Sequence, residues 1–284
     1  MHIPDLPKRI EIELSNSCNL HCTYCPRAHL DNTSGFMDKD LFMKVIDEIA
    51  PFPDTIVVLH RRGESLLHPE FNGLLRYITG KFKEVQMATN ATLLETGKFE
   101  AIVKALTFIS FSIDIPSVFD KTRTPARYSA VEENILKFLE YNKGRVRTQV
   151  SMVETAETPK ANVELFKKIW DGKVDRIRIY EEHSIGGVFG SIRNPRKERK
   201  PCVMPNYELL VCYDGRAGRC NHDWDGQPMG SLNTQTMREI WHNEKYADLR
   251  RQHSKLAFTD SLCAECDSWY PEVGRQGTGE VIER

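Results

Sequence analysis

Cysteine is the residue type in this chain whose placement most directly suggests chemistry. The eight cysteines form two groups, one of three near the start and one of five near the end. In a short secreted chain an even number would indicate disulfide bonds. This chain has 284 residues and begins without the apolar segment of a secretory signal, so we expect it to be cytoplasmic. In a reducing compartment, clustered thiols indicate metal or redox chemistry.

The first group consists of Cys18, Cys22 and Cys25 and follows directly after the first predicted strand. Barrels built from βα units place their catalytic residues at this carboxyl end of a strand. A structural zinc site requires four protein ligands, and the nearest further candidate, His21, lies inside the same tight loop. Three thiolates suit a 4Fe–4S cluster in which one iron has no protein ligand, where a small chelating molecule can bind. A zinc loop or incidental thiols are the alternatives.

This spacing, with Tyr24 before the last cysteine, resembles the signature of the radical S-adenosylmethionine superfamily, and the resemblance extends to about residue 185. It implies that S-adenosylmethionine chelates the open iron. One electron from the cluster then cleaves it to methionine and a 5′-deoxyadenosyl radical, which abstracts a substrate hydrogen. The protein positions, shields and tunes these cofactors. A flavodoxin- or ferredoxin-type reductant is the implied redox partner.

The same resemblance implies further contacts to S-adenosylmethionine. Members of the family carry a Gly-Gly-Glu-Pro-like turn after the second strand, and here Arg62-Gly63-Glu64-Ser65 matches it at its two central positions. Glu64 is expected to bind the methionine amino group, whereas Arg62 is either a substrate contact or a surface arginine. Polar residues that end the third and fourth strands are expected at the ribose or carboxylate, although such residues also cap strands. The residues expected at the cofactor are Tyr24, Gly63, Glu64, Asn90, Ser112 and Asp114.

Hairpin geometry separates the five later cysteines. Asp214-Gly215 lies between two extended segments, which is a strong hairpin signal. A two-residue turn there pairs Tyr213 with Arg216. Because side chains alternate along a strand, this register directs Cys220 to one face of the hairpin and Cys212 to the other. The thiols that remain as one set are Cys202, Cys220, Cys263 and Cys266.

Four thiolates complete the coordination of one 4Fe–4S cluster or of one zinc ion. Cys202 and Cys220, with Gly215 between them and Cys263-x-x-Cys266 after them, resemble the twitch domain, a short form of the SPASM domain. That resemblance implies one auxiliary 4Fe–4S cluster. The order and gaps are also similar to those of small members of the same superfamily that oxidise aminocyclitols. The implied cofactors are S-adenosylmethionine and two 4Fe–4S clusters.

A fully ligated auxiliary cluster cannot chelate a substrate, so its expected role is electron transfer. Removing hydrogen from a carbinol carbon leaves a radical that becomes a ketone when it loses one proton and one electron, and an oxidised cluster can take that electron. We therefore expect oxidation of an alcohol on a sugar, an aminocyclitol or an aminoglycoside-type substrate. A base must take the hydroxyl proton, and the candidates at the sixth strand are Arg178 and Tyr180, with Glu181 and His183 just beyond. His60 and Arg62 at the end of the second strand are similar candidates.

Three alternatives remain open at the level of sequence. The first is a sugar epimerase in which Cys212 donates a hydrogen atom, although the expected register points this thiol away from Cys220 and a free cysteine often serves as a small core residue. The second is peptide maturation, but the sequence before Cys18 leaves no room for an added peptide-recognition domain. The third is a non-catalytic iron–sulfur or zinc module, which would leave a polar barrel lumen unexplained.

Alternating extended and helical segments must position these residues, and such alternation favours βαβ units with a parallel sheet. Parallel strands covered on both faces are usually apolar throughout, yet residues 109–114 alternate between apolar and polar side chains. We therefore predict an α/β fold, a partial (β/α)6 barrel with a polar lumen and a small C-terminal β-hairpin-plus-helix iron–sulfur domain. Strands are predicted at about 9–15, 55–60, 84–89, 107–114, 146–152 and 174–180, and helices at about 38–49, 70–79, 94–105, 127–141 and 159–170.

The predicted domains are a partial barrel of the radical S-adenosylmethionine type at 1–185, a linker at 186–201 and an auxiliary-cluster domain at 202–284. The last domain is expected to contain a helix at about 234–252 and a loose tail after Pro271. The 39 Lys and Arg residues nearly balance 40 Asp and Glu residues, which gives no long-range field for a polyanion. No apolar run approaches the length of a membrane span. The expected partner is therefore a small-molecule substrate, without nucleic acid or membrane.

Overall fold

A barrel sheet is the centre of the computed structural model, which describes residues 3–29, 34–155, 158–182, 198–224, 226–270 and 279–283. Six parallel strands lie side by side in chain order, so the predicted partial (β/α)6 barrel is confirmed. The strands are β1 (Arg9–Ile12), β2 (Ile56–Val58), β3 (Glu84–Thr89), β4 (Phe108–Ser112), β5 (Arg147–Glu154) and β6 (Arg176–Glu181).

Amphipathic helices connect these strands. The first begins at the N-cap Asp38, whose carboxylate accepts from two backbone amides, and it buries Phe42, Val45, Ile46 and Ile49 at helical spacing. Each fully buried side chain of this kind stabilises the fold by about 1.5–3 kcal/mol. The helices are α1 (Lys39–Ile49), α2 (Phe71–Ile78), α3 (Thr96–Ala105), α4 (Pro116–Thr122), α5 (Tyr128–Asn142) and α6 (Lys160–Trp170).

The predicted alternation of the strands produces a polar lumen. On β4, Ile109 and Phe111 are fully buried in the core. The intervening Ser110 faces the lumen, where Gln149 on β5 donates to its hydroxyl at 2.7 Å. The barrel therefore encloses hydrogen-bonding groups and leaves room for a polar ligand.

The C-terminal region continues the barrel sheet. A hairpin strand pairs in parallel with β1, and the last described strand pairs antiparallel with β6, giving a sheet of ten described strands. The prediction of a loose tail is therefore wrong for residues 281–283, which form a strand. Residues 271–278, His183 and most of the predicted linker (186–197) lie outside the described residues. The added strands are β7 (Glu208–Val211), β8 (Arg216–Gly218), β9 (Gly230–Ser231) and β10 (Val281–Glu283).

The predicted register of the hairpin is wrong by one residue. Val211 pairs with Ala217, and the backbone amide of Cys212 donates to the carbonyl of Arg216 at 2.8 Å. The turn therefore has three residues, and its last, Gly215, has a φ of 86°, which glycine adopts without strain. Gly218 lies opposite Leu210, so Cys220, two residues further on, falls on the same face of the hairpin as Cys212, opposite to the prediction.

The predicted helix at 234–252 is two helices, because Asn243 caps a new one by accepting from the amide of Tyr246 at 3.0 Å. A short third helix carries Cys263, whose amide donates to Asp260 at 3.0 Å. Among the described residues, none of the helices combines the length and apolarity that a membrane crossing needs. The three helices are α7 (Met237–Trp241), α8 (Glu244–Lys255) and α9 (Ser261–Ala264).

Candidate functional site

The loop after β1 carries the first three thiols. Cys18, Cys22 and Cys25 are each half-buried, and the amide of Cys25 donates to the carbonyl of Cys22 at 3.0 Å. Two-residue strands, His21–Cys22 and Arg123–Thr124, pair and anchor this loop to the segment after α4. The loop is thus held at the carboxyl end of the barrel, as its sequence position predicts.

A buried ion pair fixes the aromatic residue of the loop. Asp114 accepts from Arg123 Nε at 2.9 Å and from the Tyr24 hydroxyl at 3.0 Å. Thr122 donates to the same carboxylate at 2.9 Å. The carboxylate of Asp114 is therefore engaged in holding the cysteine loop, and the contacts of Asp114 and Tyr24 to a cofactor stay predictions.

Burial raises the pKa of all three thiols, in Cys22 to about 11. Charge repulsion from Cys18 and Cys25 adds to this effect at Cys22, so the three sulfurs lie close enough to interact. Nearby Arg123 lowers the pKa of Cys22 in opposition. Thiols in such a setting are protonated in the free protein, and a bound metal centre holds them as thiolates.

The turn Arg62-Gly63-Glu64-Ser65 packs directly against this loop. The amide of Glu64 donates to the carbonyl of Ser17 at 2.8 Å. A Cβ on Gly63 would lie 2.2 Å from the carbonyl oxygen of Ser15 and 2.5 Å from that of Ser17. Only glycine permits this approach of two backbones, which places the turn beside Cys18.

Glu64 is buried, and its carboxylate is bound within the protein. It accepts from the amide of Asn90 at 2.7 Å, the hydroxyl of Thr89 at 2.8 Å and the amide of Leu66 at 3.0 Å. Burial raises its pKa, and these bonds lower it in opposition. The carboxylate thus joins the turn to the end of β3, and its contact with a methionine amino group stays a prediction.

Asn90 extends this connection to the first thiol. Its side-chain nitrogen donates to Asn19 at 3.0 Å and lies 3.9 Å from the sulfur of Cys18. Ser112, at the end of β4, lines the polar cavity of the barrel. Both are therefore placed where the sequence expects cofactor contacts, which remain untested.

Arg62, left open by the sequence, is held by Glu13 at the end of β1. Its Nε and Nη2 donate to the two carboxylate oxygens at 2.8 and 2.9 Å, and Nη1 donates to the carbonyl of Trp224 at 2.9 Å. Arg62 thus joins the barrel to the C-terminal region.

The second set of thiols lines one cavity of about 200 Å³. Burial raises the pKa of each, to about 12 in Cys263 and about 11 in Cys266, and the sulfurs raise one another's values further. Arg219 and Arg199 lie beside them and favour the thiolate forms. The four that share this cavity are Cys202, Cys220, Cys263 and Cys266.

Cys212 does not line that cavity. The predicted hairpin register, which had separated Cys212 from the other four thiols, is nevertheless wrong. Cys212 is buried, and Arg61 Nη1 donates to its sulfur at 3.2 Å. Burial raises the pKa of this thiol, with Arg61 acting in opposition.

The barrel lumen contains a second cavity, of about 680 Å³. Arg9, His60 and Tyr180 line both this cavity and the thiol-lined one. Burial, with a smaller effect of Arg9, lowers the pKa of His60 to about 3. Its Nδ1 accepts from the amide of Ala88 at 3.0 Å, so His60 is neutral and carries its proton on Nε2.

The predicted catalytic residues of β6 lie on the lumen side. The guanidinium of Arg178 is 4.7 Å from the ring centroid of Tyr180, and its Nη1 donates to the carbonyl of Gly279 at 3.4 Å. Tyr180 is 36% exposed and contacts both cavities. The sequence analysis did not select Arg9 or Glu208, which form a buried ion pair with an N–O distance of 2.8 Å. The sequence feature that could have identified them is a charged residue at a position of the strand that faces inward.

Comparison with known proteins identifies the family. A model of the radical SAM superfamily matches residues 12–179, more than half of the chain. This chain belongs to the radical SAM superfamily. A second model, SPASM, described as an iron–sulfur cluster-binding domain, matches residues 202–267.

Individual relatives are distant. The tungsten-containing aldehyde ferredoxin oxidoreductase cofactor-modifying protein of Pyrococcus furiosus is 27% identical over 61% of this chain and 51% of its own length, so this radical SAM chain spans about half of it. The S-adenosyl-L-methionine-dependent 2-deoxy-scyllo-inosamine dehydrogenase of Niallia circulans is 20% identical over 91% of this chain and 92% of its own. The crystal structure of BtrN with AdoMet and 2-DOIA has a TM-score of 0.64 at 17% identity, covering 94% and 96% of the two chains; it shows the fold.

This radical SAM enzyme uses S-adenosylmethionine, a 4Fe–4S cluster and an auxiliary iron–sulfur cluster. The donor sets fit these groups, because three half-buried thiols and four thiols in one cavity supply the soft ligands that iron–sulfur clusters require. The SPASM match also favours iron–sulfur over zinc at the second set.

Gly63→Ala is expected to separate the turn from the cysteine loop. The new Cβ meets backbone oxygens that cannot move independently, so the cost is expected to be about 3 kcal/mol, with loss of S-adenosylmethionine cleavage. Unfolding curves and 5′-deoxyadenosine formation measure both effects. Gly73→Ala is the matched control, since no atom lies within 4 Å of its Cβ position in α2 and alanine should stabilise that helix by about 0.5–1 kcal/mol. Equal stability of the two variants would contradict the proposed contact.

Asp114→Ala is expected to destabilise the fold by about 3–5 kcal/mol, because it leaves the guanidinium of Arg123 buried without its partner. The freed Tyr24 should also loosen the cysteine loop and lower iron retention. Chemical denaturation and iron content test this. Asp54→Ala is the control: it removes an exposed ion pair with Lys83 and should change neither the stability nor the iron content. An Asp114→Ala protein that is as stable and as rich in iron as this control would show that the buried network does not support the loop.

Proposed function

We propose that this enzyme oxidises a carbinol of a small polar substrate to a ketone and passes the released electron to the auxiliary cluster. The observation that supports this most is the wall formed by Arg9, His60 and Tyr180, which separates the polar lumen from the cavity of the four thiols. A substrate in the lumen would lie one layer of side chains from the auxiliary centre. The relation to the 2-deoxy-scyllo-inosamine dehydrogenase over most of both chains points in the same direction.

When bound, the first cluster and S-adenosylmethionine supply the one-electron chemistry that removes a hydrogen atom from the substrate. The chain supplies the lumen that holds the substrate and keeps bulk water away. Ser110 and Gln149 offer hydrogen-bonding groups there, and Gln149 Oε1 is buried without a hydrogen-bond partner in the described part of the chain. An acceptor in this position suits a substrate hydroxyl or ammonium group, as found in sugars, aminocyclitols and aminoglycosides.

Proton removal is assigned to the lumen side of β6. The neutral His60 presents an N–H to the lumen and orients a substrate oxygen instead of acting as its base. Tyr180, which contacts both cavities, is the proposed route for the hydroxyl proton, with Arg178 holding its ring. The roles of Arg178 and Tyr180, and a flavodoxin- or ferredoxin-type identity of the reductant, are part of this proposal.

One anaerobic incubation tests the function. The reconstituted enzyme is mixed with S-adenosylmethionine, reductant and candidate polyols or amino sugars, and 5′-deoxyadenosine and ketone are quantified. The proposal expects both products in equal amounts with at least one alcohol substrate. Formation of 5′-deoxyadenosine with a peptide but with no alcohol, or of an inverted alcohol without ketone, contradicts it.

Epimerisation of a sugar-like substrate is a second candidate because Cys212 lies on the same face of the sheet as Arg9, which lines the lumen cavity. A thiol in that position, next to Arg61, could return a hydrogen atom to the opposite face of a substrate radical. Deuterium from solvent at an inverted carbon, lost in Cys212→Ala, would identify this reaction. Ketone formation that is unchanged in Cys212→Ala would favour the dehydrogenase.

A further inference from the structure

Two buried acidic residues lie next to the auxiliary-cluster cavity, Glu208 as part of its lining and Glu11 through a hydrogen bond to the lining residue Asn221, and they have no part in the function proposed above. Glu11 on β1 and Glu208 on β7 occupy neighbouring parallel strands and are 0% and 3% exposed. Both alternate with core residues and face the lumen side. Arg9 Nε donates to Glu208 at 2.8 Å, and Glu208 lines the cavity of the four thiols. A pair of carboxyl groups is therefore buried at the edge of the auxiliary centre.

Glu11 is held through only one of its two carboxyl oxygens among the described residues. Its Oε2 accepts from Asn221 Nδ2 at 2.8 Å, and Asn221 directly follows Cys220 in the chain. Its Oε1 is buried and has no hydrogen-bond partner among the residues that the structure describes. An ionised carboxylate with an unsatisfied buried oxygen is costly, and protonation removes most of that cost. The charged groups around Glu11 are Arg9 and Glu13 on its own strand, Glu208 on β7 and Arg61 after β2.

The pKa shifts of the two carboxyl groups agree with this arrangement. Burial, followed by the negative charge of Glu208, raises the pKa of Glu11 to about 8, while Arg9 and Arg61 act in opposition. Burial raises the pKa of Glu208 as well, and its bond to Arg9 lowers it. Glu11 is therefore the member of the pair that carries the proton at neutral pH, and Glu208 is the charged partner of Arg9.

We propose that, once alkaline solution has removed its proton, Glu11 takes up one proton as an electron arrives at the auxiliary cluster. The cluster gains one electron, supplied by the substrate radical in turnover or by dithionite in a titration. The carboxylate of Glu11 gains one proton from water and becomes a neutral carboxyl group, so the net charge of the buried region is unchanged. The physical cause is that an added negative charge in a low-dielectric interior favours the neutral form of a nearby carboxyl group. The inference requires the auxiliary cluster and holds for any substrate.

The pH dependence has a definite sign. At pH values below about 8 Glu11 holds its proton in both redox states, so the reduction potential of the auxiliary cluster should not vary with pH. Above that value reduction consumes a proton, so raising the pH disfavours it. The potential should then fall by up to about 59 mV per pH unit, the value of a tenfold concentration change for a one-electron couple.

An EPR-monitored redox titration of the reconstituted full chain between pH 6.5 and 9.5 tests this, with Glu11→Gln as the variant. The reduction potential of the auxiliary cluster in the wild-type protein should be constant up to about pH 8 and decrease above it. In Glu11→Gln it should not change with pH over the whole range. Glu13→Gln is the matched control on the same strand, because its carboxylate is held by Arg62, and it should keep the wild-type slope. A level wild-type curve, or the same slope in Glu11→Gln, overturns the inference without affecting ketone formation.

A second variant covers the case in which Glu11→Gln does not retain its cluster. Glu208→Gln removes the negative neighbour that helps to raise the pKa of Glu11 and leaves Arg9 beside it. The bend in the potential should therefore move to lower pH. A bend at the wild-type pH in this variant contradicts the proposed coupling between the two carboxyl groups.

Discussion

Cys18→Ala is expected to abolish S-adenosylmethionine cleavage, with no 5′-deoxyadenosine above background. The loop supplies only three thiols, Cys18, Cys22 and Cys25, so the loss of one leaves two protein ligands for a cluster that already has an open iron. Iron content should fall from about eight to about four atoms per chain, since the auxiliary cluster has its own ligands. Anaerobic reconstitution, iron and sulfide analysis and product quantification measure these changes.

Cys212→Ala is the control for this prediction. Its sulfur is buried beside Arg61 and outside the cavity of the four thiols, so iron content should stay near about eight atoms per chain. A Cys18→Ala protein that keeps all of its iron, or that still forms 5′-deoxyadenosine at the wild-type rate, would show that this loop does not hold the reactive cluster.

Cys220→Ala is expected to separate cleavage of S-adenosylmethionine from oxidation of the substrate. Cys220 lies with Cys202, Cys263 and Cys266 in a cavity that shares the lining residues Arg9, His60 and Tyr180 with the lumen cavity. Its loss should remove the auxiliary cluster and about four irons, while the first cluster and the cleavage reaction remain. Ketone formation should fall to background, because the substrate radical then has no electron acceptor.

The ratio of ketone to 5′-deoxyadenosine is the decisive measurement for this variant. Wild-type protein should give a ratio near about one and Cys220→Ala a ratio near zero, as expected for one electron passed per radical. Cys263→Ala should behave in the same way, since its thiol lies in the same cavity. A ratio that is unchanged in both variants would assign the auxiliary set a structural role and would remove the basis for the dehydrogenase proposal.

Local patterns in the sequence determined the barrel, its polar lumen and the two groups of thiols. Strand–helix alternation and the inward polar residues of β4 depend on neighbouring residues, so they can be read without tertiary contacts. The spacing of the three cysteines and their position directly after β1 are local features of the sequence as well. The turn at Gly63 and Glu64 was expected from the family resemblance, which did not show that the turn needs glycine to pass the backbone of residues 15–17.

Tertiary structure alone decided how distant side chains are used. The hairpin register differs from the prediction because Gly215, at a φ of 86°, makes a three-residue turn, and this places Cys212 and Cys220 on the same face of the hairpin. Asp114 is engaged by Arg123 and Tyr24, while Glu11 lies beside Glu208 from the far end of the chain. These pairings join residues separated by up to two hundred positions, and the free energy that fixes them comes from burial and charge compensation in the folded protein. No local pattern carries that information.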